Sequence, residues 1–329
     1  MRFTLRGQTI LGAAIAALVF GGAALEARQQ QGQPGIDWTE PQIRQAVAPV
    51  RAGRVLTPPS WPGGNRVAVC LSFDVDAETW DLARGGDAPV SLSAGEFGAK
   101  QGMPRILALL DRHAIPGSFY IPAVSAMLHP EIVPSITKSG RHEIGVHGWI
   151  HESLPALNNA ADEERLLNQS LEFLTKAIGK RPTGYRAPSW AFSRFTASQV
   201  ARAGFLYDSS MMAMDVPYEL VLDGKPSGLI ELPVEWILDD APYFSRTGAL
   251  PSPELIFRTY RDEFDAAYAE GSYYMLTMHP RVIGHRSRMN HLEELVAYMR
   301  SKPGVWFATA EQIATHIKST MGKPAGRTQ

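Results

Sequence analysis

Residues 67–78 read VAVCLSFDVDAE, a mostly apolar run that ends in two aspartates, Asp74 and Asp76. A short apolar run bounded by polar residues is typical of a strand buried on both faces of a parallel sheet. If the strand continues past Phe73, residues 74 and 76 point to the same side, because side chains alternate along a strand. Two carboxylates on one side repel each other and usually need a cation or a shared proton. A helix cap or a local turn at one aspartate is the alternative interpretation.

Apolar runs of this kind alternate with amphipathic stretches along the rest of the chain. The predicted strands are 67–73, 117–121, 143–146, 184–187, 229–233, 273–278 and 304–307. The predicted helices are 102–113, 130–139, 160–178, 196–203, 253–270, 290–300 and 310–318. Repeated strand–helix units place parallel strands in one sheet with helices outside, and about seven units favour a barrel over an open sheet. The sequence therefore predicts the α/β class.

The composition indicates one soluble domain and excludes several kinds of site. The 329 residues include 32 Lys and Arg against 33 Asp and Glu, so we expect no nucleic-acid partner. The single cysteine, Cys70, excludes an intramolecular disulfide and leaves any metal site to His, Asp and Glu side chains. We expect Cys70 itself to be an inert core residue. No later apolar stretch is long enough to cross a membrane, so we expect no stable membrane partner.

The first residues have the three parts of a secretory signal. Arginines at positions 2 and 6 precede an apolar run at 10–20, and small residues follow at 21–24. We expect a signal peptide at 1–27, cleaved between Ala24 and Ala27, and an exported protein that acts in the periplasm or outside the cell. An uncleaved anchor is the alternative, although the run is short for a bilayer span of about 20 residues. A flexible leader at 28–62 with a short helix near 41–48, one folded domain at 63–318 and a loose tail at 319–329 complete the predicted organisation.

Polar clusters follow four of the predicted strands. Asp74 and Asp76 follow the first strand, HGWIH (147–151) follows the third, RAPSW (186–190) comes at the end of the fourth, and His279 follows the sixth. In barrels of parallel strands the working residues sit where strands end and loops begin. We therefore expect these four clusters to meet in one site.

His147 and His151 have the spacing of a pair of metal ligands. A helix that started at the strand end would place both on one face, where they could hold one divalent metal, most often zinc. Two surface histidines also produce this spacing by chance. One aspartate of the first cluster would complete a His-His-Asp set with positions open for water and substrate, as in catalytic zinc sites. The other aspartate could then act as a base and His279 as an acid, while Arg186 could pair with the base or form a structural salt bridge.

In this order, SFDVDAE (72–78), HGWIH, RAPSW and LTMH (276–279) resemble the successive motifs of polysaccharide deacetylases with a NodB-homology domain, the fourth carbohydrate esterase family. Four further segments are similar to the branch of that family that contains the Helicobacter peptidoglycan deacetylase-like protein and the metal-free allantoinases. They are AGEFGAKQGMPRIL (94–107), GYRAPSWAFS (184–193), LYDSSMM (206–212) and ELPVEWILDD (231–240). The resemblance covers roughly residues 65–315 and implies a distorted (β/α) barrel of seven or eight strands.

The resemblance also implies a role for each residue that matches a motif. Asp74 corresponds to the general base, and Arg186 to the arginine that tunes it. Asp76, His147 and His151 correspond to the metal ligands. Zinc is the expected cofactor, and Co²⁺, Ni²⁺ or Mn²⁺ could bind the same ligands.

The remaining implied roles concern the leaving group and the substrate pocket. His279 corresponds to the general acid, the backbone N–H near Ser189 to an oxyanion contact, Trp190 to an aromatic wall and Leu276 to the lining of an acetyl pocket. The acidic partner of His279 is open among four residues, of which the last two are favoured: Asp215, Asp239, Asp240 and Asp208.

Two departures from the family pattern concern geometry and access. The first motif reads Asp-Val-Asp where much of the family has two adjacent aspartates, so the arrangement of base and ligand is specific to the branch. The loops 79–100 and 239–251 are long, and both would fall at the barrel rim. They would narrow the groove that open-site members use for polymers, and contacts in a homo-oligomer could contribute to this.

The predicted function is a metal-dependent hydrolase that removes acetyl groups from N-acetylated, or O-acetylated, sugars of a polysaccharide or peptidoglycan. An acetylated glycan is the expected partner. Hydrolysis of a small cyclic amide, as in imidases and allantoinases, is one alternative, and a non-catalytic glycan-binding module is another. Export favours the glycan, and the presence of all three metal ligands argues against the metal-free relatives.

Overall fold

The structure is a computed structural model that describes residues 35–244 and 251–321. The predicted signal peptide and most of the predicted tail lie outside these residues. The chain divides into two compact units, Met1–Val47 and Ala48–Gln329. The described part of the first unit contains a 3-10 turn at Gly35–Asp37 and helix α1 at Glu40–Val47, near the predicted 41–48. Within the described ranges, no helix has the length and apolarity needed to cross a membrane.

The second unit is built on one curled sheet of ten strands in the order β1-β7-β8-β6-β5-β4-β3-β2-β10, with β9 on the other side of β2. The strands are β1 Val50–Val55, β2 Val67–Asp74, β3 Ser118–Ile121, β4 Glu143–Val146, β5 Gly184–Tyr185, β6 Tyr207–Asp208, β7 Tyr218–Leu222, β8 Lys225–Glu231, β9 Tyr273–Met278 and β10 Val305–Phe307. Eight strands run parallel, and β1 and β7 form an antiparallel edge. The predicted α/β barrel class is confirmed, in the form of a half-barrel.

Helices cover the outer face of this sheet. They are α2 Thr79–Leu82, α3 Pro89–Phe97, α4 Met103–His113, α5 Ala123–Leu128, α6 Ile132–Thr137, α7 Leu154–Leu157, α8 Ala160–Ile178, α9 Thr196–Arg202, α10 Ala241–Phe244, α11 Pro253–Glu270, α12 Pro280–Ile283, α13 Arg286–Ser301 and α14 Ala310–Thr320. A π-helical turn at Gly98–Gly102 joins α3 to α4. The predicted bounds of α8 and α11 are confirmed at both ends.

The alternation of side chains along β2 separates two apolar layers. One set packs against the helices, and its members are Val67, Val69, Leu71 and Phe73. Ala68 and Cys70 belong to a second cluster on the inner face of the sheet. Ser72 and Asp74 continue the inner face, because side chains two apart point the same way. The first aspartate of the motif is therefore directed into the half-barrel at the carboxyl end of its strand.

The described part of the segment predicted as a flexible leader contains helix α1, which was expected, and strand β1, which was not. Strand β1 in this segment pairs with β7, with Val50 opposite Leu222. The pairing joins positions more than 160 residues apart and could not be read from local pattern. Cys70 is a free thiol with no exposed surface, and burial raises its pKa to about 12. The prediction of an inert core cysteine is confirmed.

Candidate active site

The four predicted polar clusters meet at the carboxyl ends of the parallel strands. Asp74 ends β2, His147 follows β4, Arg186 follows β5 and His279 follows β9. Asp74 is the common neighbour of the other three. Its Oδ1 accepts a hydrogen bond from Arg186 Nη1 at 2.7 Å, and its Oδ2 lies 3.8 Å from His147 Nε2 and 4.0 Å from His279 Nε2. Asp74 is 1% exposed, so these side chains form one enclosed cluster.

Asp76, His147 and His151 form a group with the geometry of a metal site. Asp76 Oδ1 lies 3.6 Å from His147 Nε2 and 3.8 Å from His151 Nε2. Ligands at typical zinc distances stand about 3.4 Å apart on a tetrahedron. All three side chains are buried, and Asp76 Oδ1 has no hydrogen-bond partner among the described residues. An orphaned buried carboxylate oxygen beside two imidazoles fits a divalent cation.

The protonation of the two histidines also fits metal binding. His147 Nδ1 lies 2.9 Å from the carbonyl oxygen of Arg186, which accepts its proton and leaves Nε2 free to ligate. Burial, together with the neighbouring His147 and Arg84, lowers the pKa of His151 to about 4, although Asp76 opposes the shift. His151 is therefore neutral at pH 7, as a ligand must be.

The backbone that brings the two histidines together is not the helix that their spacing predicted. Residues 147–151 form a loop in which Gly148 has φ +76° and His151 has φ +63°, and the next helix, α7, starts only at Leu154. The Glu152 carboxylate accepts hydrogen bonds from the N–H groups of Trp149 and Ile150 and closes the turn. The prediction that the pair would meet was correct, but its helical explanation was wrong.

Two hydroxyl groups that the sequence analysis did not single out hold the turn at Asp76. Thr79 Oγ1 and Ser125 Oγ each donate to the carbonyl oxygen of Asp76 at 2.6 Å. The backbone N–H of Thr79 donates to the same oxygen at 3.0 Å. Three donors therefore hold the backbone at Asp76 in place after the strand ends at Asp74.

Glycines in the segment 94–107 let the chain pack closely against two loops of the site. A Cβ on Gly95 would lie 2.5 Å from the carbonyl oxygen of Ala77, next to Asp76. A Cβ on Gly102 would lie 2.2 Å from the carbonyl oxygen of Pro280, next to His279. The 94–107 segment therefore packs directly against both the candidate ligand loop and the His279 loop.

Arg186 is fully buried beneath Asp74 and uses all its nitrogens. Besides the bond to Asp74, it donates from Nε to the carbonyl oxygen of Ser209 at 3.0 Å and from Nη1 to Ser72 Oγ at 3.1 Å. Its guanidinium carbon also lies 3.9 Å from the centre of the Tyr120 ring. Burial alone would raise the pKa of Asp74, but Arg186 and two neighbouring histidines hold it below its ordinary value. Asp74 is therefore ionised at neutral pH.

His279 lies beside negatively charged groups, whereas Asp74 lies beside the positive charge of Arg186. Its Nδ1 lies 2.7 Å from Asp240 Oδ1, and its backbone N–H donates to the same carboxylate. Asp239 Oδ1 lies 3.5 Å from the same ring nitrogen. Burial would lower the pKa of His279, but Asp240, Asp239 and Asp76 raise it well above its ordinary value. The imidazole is therefore protonated at neutral pH, with Nε2 facing the Asp74 carboxylate.

Of the acidic residues considered as partners of His279, the structure brings Asp240 and Asp239 to it and not Asp208. Asp208 lies beside Glu231 on neighbouring strands, and both are fully buried. Burial raises the pKa of Asp208 to about 6 and that of Glu231 well above its ordinary value. These two carboxyls lie together behind the RAPSW loop, where Asp208 Oδ1 accepts from Ser210 Oγ at 3.0 Å and Glu231 Oε1 accepts from the N–H groups of Ser210 and Met211. The expectation for Asp208 was wrong because only the fold decides which strand end faces His279.

A cavity of about 360 Å³ opens above these groups. Its lining includes Asp74, Trp80, His147, His151, Ser189, Trp190, Trp236, Asp239, Ala241, Pro242 and His279. The rings of Trp190 and Trp236 lie 4.4 Å apart on one wall, and the Trp80 ring lies 5.1 Å from that of His151 on another. Trp236 stands inside the ELPVEWILDD segment and could have been found there, whereas Trp80 carried no signal.

Ser189 and Leu276 differ in how they meet the expectations. Ser189 is exposed with φ +53°, and the N–H of Trp190 is already used by the carbonyl oxygen of Ala187. The expected contact of an N–H near Ser189 with an oxyanion stays a prediction. Leu276 is absent from the described lining of the cavity and packs in the outer apolar layer between sheet and helices. The expectation of an acetyl pocket lined by Leu276 is not met, because alternation along β9 turns Met275 and Thr277 inward instead.

Comparison with known proteins agrees with this architecture. The polysaccharide deacetylase family model matches residues 87–207. A peptidoglycan deacetylase of Helicobacter pylori is 31% identical over 280 residues, which cover 75% of this chain and 95% of that protein. The crystal structure of a polysaccharide deacetylase from Mycobacterium smegmatis, at 37% identity, superposes with a TM-score of 0.75 over 85% of this chain and 99% of the other. The crystal structure of Puue allantoinase, at 26% identity, has a TM-score of 0.73 over 81% of this chain and 96% of the other. With these likenesses over most of its length, the chain belongs to the polysaccharide deacetylase family and is a hydrolase of the deacetylase type.

Proposed function

We propose that this deacetylase is metal-dependent and removes acetyl groups from N-acetylated sugars of a cell-wall glycan. The observation that carries the proposal is the pairing, across one cavity, of an ionised Asp74 with a protonated His279 beside the Asp76, His147 and His151 group. Two titratable groups whose surroundings push their pKa values apart are the usual sign of a base and an acid. The cell-wall substrate and action outside the cytoplasm rest on the Helicobacter pylori relative and on the predicted signal peptide.

Each residue has one task in the proposed reaction. A divalent cation held by Asp76, His147 and His151 would supply Lewis acidity to the acetamide carbonyl. Asp74 accepts a proton from the attacking water, because Arg186 keeps its carboxylate ionised and correctly oriented. Zinc is the preferred cation for this ligand set, with cobalt, nickel or manganese as substitutes.

The second half of the reaction needs a proton for the leaving amine. His279 donates it from Nε2, and Asp240 and Asp239 stabilise the charged imidazole before the transfer. The Ser189 N–H would stabilise the developing oxyanion. Trp190 and Trp236 form an apolar wall that limits access of bulk water. The products are acetate and a free amino sugar.

The test compares Asp74→Asn with Asp76→Asn in metal content and acetate release. Asparagine keeps an oxygen to accept from Arg186 Nη1, so Asp74→Asn should fold, bind zinc as the wild type does and lose at least 100-fold in kcat. Asp76→Asn should lose the metal. If Asp74→Asn empties the site and Asp76→Asn does not, the roles of the two aspartates are reversed. Substrates would be chitooligosaccharides, peptidoglycan fragments and acetylated xylan, the last to reveal O-deacetylation.

Hydrolysis of a small cyclic amide is a second candidate, since Puue allantoinase has a TM-score of 0.73 to this chain. The retained Asp-His-His group and the open aromatic wall favour the glycan. The zinc-loaded protein should also be offered hydantoin. If it hydrolyses hydantoin and releases no acetate from any acetylated substrate, the protein is a cyclic-amide hydrolase. A second test fuses this chain to a reporter enzyme that is active only after export. A fusion without reporter activity would also favour the cyclic-amide hydrolase.

A further inference from the structure

Trp80 and Arg84 form a stacked pair at the mouth of the cavity. Trp80 is 39% exposed and lines the cavity beside His151. The guanidinium carbon of Arg84 lies 3.6 Å from the centre of the Trp80 ring, and Arg84 Nη1 donates to the carbonyl oxygen of Trp80 at 2.7 Å. An arginine stacked on an indole loses much of its freedom and holds its charge in a defined place.

This charge has no ion-pair partner within the described part of the chain. Asp81, which lies on the same short helix as Trp80, forms an ion pair with Arg281 at 3.2 Å instead. The remaining carboxylate that acts on Arg84 from the site is Asp76, which belongs to the candidate metal group. Arg84 is itself exposed at the surface, so an incoming anion can reach it.

The position of the guanidinium relates it to the reacting group of a substrate. Because Trp80 stacks on Arg84 and its ring centre lies 5.1 Å from that of His151, the guanidinium carbon falls within about 9 Å of the His151 ring. An acetamide bound at the candidate metal group would leave its own sugar ring, or the next one, beside Trp80. A neutral sugar offers Arg84 only uncharged hydroxyl acceptors, whereas a carboxylate on either ring would form a stronger, charge-assisted hydrogen bond.

We propose that Trp80 and Arg84 form a subsite for a carboxylate-bearing sugar, so that the enzyme prefers N-acetylated glycans that carry a carboxylate next to the reacting acetamide. The inference rests on the proposed deacetylase function and specifies its substrate class. Trp80 contacts the apolar face of the sugar, and Arg84 contacts the carboxylate. The Trp190–Trp236 wall on the other side keeps the ring between the two surfaces.

The experiment uses a substrate pair that differs only in charge. The GlcNAc–MurNAc disaccharide carries a lactyl carboxylate, and its methyl ester has the same shape without the charge. The zinc-loaded wild type should show kcat/KM about fivefold higher for the acid than for the ester, the size expected of one exposed ion pair. Arg84→Gln should bring the two values together. The preference should also shrink as salt is raised.

A matched control and a binding measurement separate this inference from the proposed function. Arg261 is stacked on Tyr298 at 3.9 Å outside the described lining of the cavity, so Arg261→Gln should leave both substrates unaffected. Calorimetry of both disaccharides with Asp74→Asn should show the same charge preference without turnover. The subsite would be overturned if the wild type had equal kcat/KM for the acid and the ester. It would also be overturned if Arg84→Gln lowered kcat/KM by the same factor for both substrates. If the protein binds the acid more tightly than the ester but releases acetate from neither disaccharide, the subsite stands and the proposed function is rejected.

Discussion

Replacing Gly102 by alanine should inactivate the enzyme through a displacement that can be worked out from the structure. The added Cβ would lie 2.2 Å from the carbonyl oxygen of Pro280, whereas ordinary contact begins at 3.4 Å. The two segments must therefore separate by about 1 Å, because both contacting groups are backbone or Cβ and neither can rotate away. Gly102 has φ −63°, so alanine adds no conformational strain of its own.

The separation should be felt mainly at His279, the residue before Pro280. A displacement of about 1 Å at a catalytic group costs on the order of 100-fold in rate. We expect kcat for acetate release to fall by that amount, with a loss of stability of about 1–3 kcal/mol for the overpacked contact. Zinc content should stay unchanged, because the three candidate ligands are on other loops.

The assay measures acetate release, bound zinc and urea unfolding on three variants. Gly98→Ala makes a milder contact, 3.0 Å from the backbone nitrogen of Arg281, and should lose less activity than Gly102→Ala. Gly140→Ala is the control, since no atom lies within 4 Å of its Cβ and its φ of +66° costs stability alone. If Gly102→Ala keeps most of its activity, or loses no more than Gly140→Ala does, the bracing role of the 94–107 segment is refuted.

Other predictions test stability and metal binding. The Asp208 pKa of about 6 lies above the ordinary value near 3.9, so the folded state binds the extra proton and stability falls as pH rises from about 4 through 6. Asp208→Asn should remove this loss, about 1 kcal/mol when urea midpoints at pH 5 and pH 8 are compared; an unchanged pH dependence would contradict the raised pKa of Asp208. Asn159→Ala should cost about 1 kcal/mol in the same assay, because the Asn159 side chain caps α8 at the Ala161 N–H. Chelation should lower the melting temperature of the wild type but not of Asp76→Ala, and an equal effect on both would argue against this metal site.

The ends of helices were predictable where the sequence contains a capping residue, a proline or a glycine. Helix α8 starts after the Asn159 cap and ends at Gly179, which has φ +81°. Helix α11 starts with Pro253 and ends at Gly271, which has φ +74°. Strand β1 was missed because VRAGRV has no apolar run, and it forms only through its distant partner β7. Local patterns therefore predicted the elements with local causes.

The candidate site shows the same division. The four polar clusters could be predicted because strand ends in such a sheet meet at one edge. That Asp240 rather than Asp208 contacts His279 could not be predicted. Both aspartates follow apolar segments, and only the course of the sheet determines which one lies beside His279. The hydroxyls of Thr79 and Ser125 could not be predicted either, because their role depends on the carbonyl oxygen of Asp76, which only the fold brings to both of them.

The proposed base and the proposed acid can coexist because each has its own buried counter-charge. Asp74 and His279 stand 4.0 Å apart and would exchange a proton readily if they had only each other. Arg186 holds Asp74 ionised from below, and Asp240 holds His279 protonated from the far side of its ring. Removing either counter-charge would pull the two pKa values together, and the charge separation that the reaction needs would be lost before substrate arrives. The fold therefore maintains two opposite charges at short range, which explains why so much of the half-barrel interior is polar.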